Sequence, residues 1–194
     1  MSKQINRQKL ISEFVAKLLV SFGENISREG LTGTPHRVFR MYEELLGGYS
    51  QDPDSVFKTF KSNGYQDLVT LTNIDFYSLC EHHLIPFFGK IHIGYIPNGR
   101  ILGLSKFARL TEIFSRRLQT QENLTNQIVN TLEKHLRPRG LIVNIEAEHL
   151  CISMRGVKKS DCLTKTTAIR GILENKTGLV NRFYREIGRK GKLT

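Results

Sequence analysis

The sequence predicts an α+β chain built on an antiparallel sheet. Apolar residues recur at helical spacing up to about residue 46, and the period becomes strand-like from about residue 67. From there the order is β-β-α-α-β-β, with the first strand pair joined by a short loop, which makes that pair antiparallel. Two helices between strand pairs must cover one sheet face, and the other face needs cover of its own, often from self-association. The expected division is an N-terminal helical region, 1–66, and a sheet domain with a C-terminal helix, 67–194.

Ile5, Leu10, Ile11, Phe14, Val15, Leu18, Leu19 and Phe22 predict an amphipathic helix over 4–23. Gly30 to Pro35 reads as a turn, with Thr34 as N-cap and Pro35 at the first helical position. The helix that follows should bury Val38, Met41, Tyr42, Leu45 and Leu46, show Arg37 and Arg40 on another face, and stop at Gly47-Gly48. Strands are expected over 68–79 and 90–96, joined by a loop from Cys80 to Gly89. Ser105 is the expected N-cap of a helix burying Phe107, Leu110, Ile113, Phe114 and Leu118. Leu124, Ile128, Leu132 and Leu136 mark a second helix over 122–136, ended by Pro138 and Gly140. Strands near 141–153 and 163–172 and a helix over 177–187 complete the chain.

With 194 residues, 39% hydrophobic and 24% charged, the chain reads as globular. No apolar run is long enough to span a bilayer, and the N-terminus lacks the apolar core of a secretory signal. Three cysteines argue against a disulfide framework and suit a reducing cytoplasm. The net charge of +11 favours polyanions, although part of it lies in Arg182, Arg185, Arg189, Lys190 and Lys192 and reads as a solvated basic tail. No nucleic-acid recognition signature accompanies it.

The chemistry concentrates in Cys80-Glu81-His82-His83 and His149-Leu150-Cys151. Two thiolates and up to three imidazoles form a donor set that Zn²⁺ prefers. Cys80 and His83 fit one loop, and a strand through Ile152 would point His149 and Cys151 from the same face. Spacing alone leaves open a closed structural site, a three-ligand catalytic site with water, and an unmetallated core cysteine with surface histidines. With Cys80, His83 and Cys151 as ligands, His82 and His149 stay free for proton transfer.

Ser78 to His83, Gly103-Leu104-Ser105-Lys106, Gln121 to Thr125 and His149 to Gly156 together resemble GTP cyclohydrolase I. Gly30 to Val38 is similar to that family's N-terminal region, and the likeness runs from about residue 27 to 187. The resemblance implies a tunnelling fold with an N-terminal helical extension, arranged as a cytoplasmic homodecamer of two stacked pentamers with sites between subunits. It implies hydrolysis of GTP at C8, release of formate, and ribose rearrangement to 7,8-dihydroneopterin triphosphate, which enters folate and biopterin pathways. Cys80, His83 and Cys151 are the implied zinc ligands, with His82, His149 and Ser105 catalytic. Glu122 is the implied guanine anchor, with Gln121 beside it. Lys106, Arg109, Arg155, Arg37 and Arg40 are the implied triphosphate contacts.

Taken alone, Glu122 is an ordinary first-turn helix residue, Ser105 a plain N-cap and each arginine a solvated cation. The lysine-rich loop from Val157 to Cys162 and the tail from Gly188 to Thr194 depart from the family pattern. Two other readings are a same-fold enzyme stopping at the formylated, ring-opened product, and a zinc-stabilised basic protein that binds nucleic acid. Retention of His149 and Ser105 argues against the first.

Overall fold

The computed structural model describes residues 6–188. Ile5 of the first expected helix and Arg189, Lys190 and Lys192 of the basic tail lie outside the described residues. The chain divides into two compact units, Met1–Gly47 and Gly48–Thr194.

In the first unit, helix α1 (Arg7–Ser21) is capped by Asn6, whose side chain accepts from the Lys9 backbone N–H. Its period is the expected one, but of its apolar residues only Val15 is buried, while Leu10, Phe14 and Leu18 are exposed. The turn expected at Gly30 contains a single helical turn, α2 (Glu29–Thr32). Helix α3 (Thr34–Leu45) takes Gly33 as its N-cap, not Thr34. The Thr34 hydroxyl is used elsewhere: it donates to Gly30 O and accepts from Arg37. Phe39, the largest apolar side chain of this helix, is buried, and Met41 is exposed.

In the second unit, β1 (Thr59–Lys61) pairs with β4 (Arg100–Leu102) in a small ribbon. The main sheet contains β2 (Val69–Cys80), β3 (Pro86–Ile96), β5 (Leu118–Gln119), β6 (Gly140–His149) and β7 (Leu163–Gly171). Its spatial order is β5-β2-β3-β6-β7, antiparallel except for the parallel β2–β5 contact. The β-β-α-α-β-β order of a tunnelling fold is therefore present, with short strands added. The β2–β3 loop is tighter than expected, because β3 begins at Pro86.

Helices α4 (Leu104–Ser115) and α5 (Gln121–Leu136) cover one sheet face. Leu124, Ile128, Leu132 and Leu136 are all buried there with Phe107 and Leu110, against Ile91, Ile93, Val143 and Ile145. Gly103, not Ser105, caps α4, so Ser105 sits in its first turn. Leu118 lies beyond α4, in β5. Helix α7 (Thr177–Gly188) covers part of the opposite face through Phe183, beside Leu68, Ile96 and Ile142. Gly94 makes this possible: a Cβ there would lie 2.7 Å from the Phe183 ring, well inside van der Waals contact.

His92, on β3, is 3% exposed. It closes an irregularity in β2, where the β2–β3 register shifts between Leu71 and Ile74. Asn73 adopts φ 60° there and its backbone N–H donates to His92 Nδ1 at 3.2 Å. The bond needs an unprotonated Nδ1. Burial lowers the His92 pKa, opposed in part by the charge of Glu146 and aided weakly by Lys90 and Lys165. The unfolded chain therefore binds more protons than the folded one as pH falls below the usual histidine value of about 6.5. The associated stability is present above that pH and lost below it. Chemical denaturation of wild type and His92→Gln at pH 7.5 and 5.5 should show the wild type losing more stability on acidification; equal losses would remove His92 from the linkage.

Candidate metal centre and its histidines

Cys80 ends β2, and the chain turns back through Glu81–Ile85. The turn is closed by Cys80 N–H to Ile85 O at 2.9 Å and Leu84 N–H to Cys80 O at 2.8 Å. Leu84 takes a left-handed φ of 56°, which costs a non-glycine residue roughly 1–2 kcal/mol. The result brings His83 back over the strand end, its Nδ1 3.9 Å from Cys80 Sγ; His82 Nδ1 lies 3.7 Å from the same sulfur. Strand β5 braces this turn: Cys80 pairs with Gln119, and the Glu81 N–H donates to Gln119 O. Glu81 and His82 approach to 4.0 Å, beyond hydrogen-bond length.

Cys151 reaches the cluster by a different route from the one its sequence suggests. Strand β6 stops at His149, and Leu150–Ser153 form one helical turn, α6. The expected strand through Ile152, with His149 and Cys151 on one face by alternation, is not formed. The turn is stabilised by Met154 N–H to Leu150 O and by the Ser153 hydroxyl donating to His149 O. Local hydrogen bonds of this kind outweigh the strand propensity of the run.

Donor atoms of Cys80, His83 and Cys151 nonetheless all lie within 4.8 Å of one another. Small side-chain movements would bring the three within bonding distance of one ion, at metal–ligand bonds of roughly 2.0–2.3 Å. Electrostatics point the same way. Burial, then the neighbouring Cys80 charge and hydrogen bond, push the Cys151 thiol pKa up. Two adjacent thiolates are costly by themselves, and a bound cation reverses that cost. The three residues can therefore hold a metal ion, and two sulfurs with one imidazole suit zinc. Cys162 is exposed and outside the cluster.

His149 is half-buried beside the cluster, and its ring stacks on Phe87 at 4.7 Å and 6°. Burial lowers its pKa, opposed by the charge of Glu122. Its Nε2 lies 2.8 Å from the side-chain oxygen of Gln121. Gln121 is 1% exposed, and its amide nitrogen lies 3.1 Å from Ile145 O, Thr164 O and Thr166 Oγ1. Both side-chain polar atoms are thus engaged within the chain. Thr120 caps α5 by accepting from Asn123 N–H, which sets Gln121 and Glu122 in the first turn. Glu122 is exposed.

The structure thus gathers Cys80, His82, His83, Cys151, His149 and Gln121. Arg155 is exposed and close enough for its charge to act on Cys151. Ser105 is exposed on α4. Lys106 and Arg109 line a separate cleft with Gln51, Asp52, Ser55 and Glu112. Arg37 and Arg40 belong to the first unit, where Arg37 donates to Gly30 O. Phe87, Thr125, Thr164 and Thr166 were missed from sequence. The clue for Gln121 and Thr125 is a pair of polar residues four apart within the buried face of α5.

The model of the GTP cyclohydrolase I family matches residues 11–188 of this chain. A Clostridium kluyveri protein named GTP cyclohydrolase 1 is 45% identical over 180 residues, 93% of this chain and 97% of its own. Proteins of the same name from Streptococcus mutans and Halalkalibacterium halodurans are each 48% identical. The first alignment covers 89% of this chain and 91% of the relative; the second covers 85% and 88%.

The ligand geometry predicts that Cys151→Ser lowers bound zinc at least about tenfold in the purified protein, measured by atomic emission at limiting metal, a hydroxyl being a poor ligand for this ion. A fully metallated variant would remove Cys151 from the ligand set.

Proposed function

The chain belongs to the GTP cyclohydrolase I family, and on that premise we propose that it hydrolyses GTP at C8 and converts it to formate and 7,8-dihydroneopterin triphosphate. The observation that carries this reading is the convergence of Cys80, His83 and Cys151 beside two histidines outside that ligand set. A closed structural site has no use for the extra imidazoles.

C8 of guanine is a poor electrophile. Cys80, His83 and Cys151 would hold a zinc ion, which would supply Lewis-acid activation of water near neutral pH. The remaining demands fall on side chains. As water adds to C8, N7 must take a proton, and the exposed His82, anchored beside Cys80, is the proposed acid. Opening of the imidazole ring and a second hydrolysis release C8 as formate. His149, half-buried and tied to Gln121, then moves protons during ribose opening, Amadori rearrangement and ring closure with loss of water. Ser105 is the proposed partner of the ribose ring oxygen.

Glu122 sits exposed at the start of α5, near enough for its charge to act on His149. A carboxylate there accepts from guanine N1–H and the 2-amino group, a donor pair that adenine lacks. Arg155 extends the site towards the triphosphate. Lys106 and Arg109 line a cleft that shares no residue with the metal cluster, which supports a site completed by a neighbouring subunit. A homodecamer of two stacked pentamers would supply that arrangement and bring Ser105, Lys106, Arg109, Arg37 and Arg40 to the triphosphate and ribose. The reducing cytoplasm suits the three free cysteines, and the product would enter folate or biopterin synthesis. No described helix is long and apolar enough to cross a membrane.

Incubation with GTP should release formate and a pterin, fluorescent after oxidation, in equal amounts, and a chelator should abolish both. Formate without pterin would favour the early-stopping relative. Salt-dependent DNA binding without GTP turnover would favour the nucleic-acid reading. Separately, Glu122→Ala should raise KM for GTP at least about tenfold, the scale of a lost hydrogen bond to a charged group, with an unchanged circular dichroism spectrum. Unaltered KM and guanine selectivity would eliminate it as the anchor.

A further inference from the structure

We infer that Gln121 is a positioning residue that holds His149 as the Nε2–H tautomer, leaving Nδ1 as the only proton acceptor on the neutral ring. The orientation of the amide is fixed by its surroundings. Ile145 O and Thr164 O are carbonyl oxygens that can only accept, and both lie 3.1 Å from one end of the amide. That end must be the NH₂ group.

The hydroxyls beside it agree. Thr125 Oγ1 donates to the Gln121 backbone carbonyl at 2.8 Å. Its single proton is then used, so in the 2.7 Å contact between Thr125 and Thr166 the proton comes from Thr166. Thr166 Oγ1 is left to accept from Gln121 at 3.1 Å. Three acceptors share two amide protons, and turning the amide over would set its oxygen against two carbonyl oxygens that have no proton to give.

The amide oxygen therefore faces His149, and the 2.8 Å contact requires a proton on Nε2. Phe87, stacked on the ring, restricts its rotation, so the tautomer and the ring plane are set together. Gln121 has no spare donor to offer a guanine, which separates its role from that of the exposed Glu122. An outer partner that fixes a histidine tautomer commonly contributes about 10–100-fold to activity. The tautomer follows from the hydrogen bonds alone; its consequence for turnover rests on the GTP reading.

Two measurements test this. In zinc-loaded wild-type protein labelled with ¹⁵N-histidine, at mildly alkaline pH, His149 should show a protonated-type Nε2 and an unprotonated-type Nδ1, assigned by comparison with His149→Ala. The reverse pattern would overturn the inference, whatever the protein does with GTP. In Gln121→Met, kcat for formate release should fall about 10–100-fold, with zinc content unchanged and KM for GTP within about twofold, and the His149 signals should lose their single-tautomer pattern. A raised KM with kcat preserved would make Gln121 a substrate contact instead. Should the variant fail to fold, the wild-type spectrum still decides the tautomer; should wild type fail to turn over GTP, the functional reading falls and the tautomer stands.

Discussion

The antiparallel pairing of β3 with β6 is the constraint on which the site depends. It runs from Ile96 opposite Gly140 to Phe87 opposite His149. Its last pair places the Phe87 ring under the His149 imidazole, and such stacks contribute about 0.5–1.5 kcal/mol beyond the area they bury. Beyond Phe87 the chain turns back through Pro86 into the loop that carries His83 and Cys80. Beyond His149 it enters the helical turn that carries Cys151. Both halves of the metal cluster are thus extensions of one strand pair, and no single loop has to hold all three ligands.

The surroundings of that pair brace the same corner. Strand β5 adds only two residues to the sheet, yet pairs with Cys80 and accepts from Glu81 N–H. Gln119 within it is buried, its side chain donating to Phe114 O and Gln127. The next residue caps α5, and the one after that orients His149. A segment of four residues, 118–121, therefore links the cysteine turn, the helix start and His149. Apolar packing of α4 and α5 on the sheet supplies most of the driving force, while these few polar contacts determine direction.

Much of this was legible in the sequence, and the limits have physical causes. The four-residue steps from Leu124 to Leu136 give a helix whose face is buried, because periodicity and packing agree. The same test finds α1 but overstates its burial, since period says where a face lies and not what meets it. Ser105 and Thr34 are good caps by type, yet glycines precede both helices, and the Thr34 hydroxyl bonds to Gly30 and Arg37. The run after His149 has strand composition but becomes a helical turn, held by bonds to Leu150 and His149 carbonyls. Gln121 was legible as a polar residue near the site. Its partners on β6 and β7 were not, because they depend on register across the sheet. His92 was passed over for the same reason: its partner is a bulge in another strand.

The division of ligands between two distant parts of the chain bears on how the protein matures. Cys80 and His83 become neighbours as soon as the β2–β3 turn closes, whereas Cys151 arrives only with long-range pairing of β3 and β6, a slower class of contact. A slip of one residue in that pairing would turn His149 to the wrong sheet face and carry Cys151 away from Cys80. Metal capture by these three donors would therefore report on strand alignment, since the native register is what brings them together.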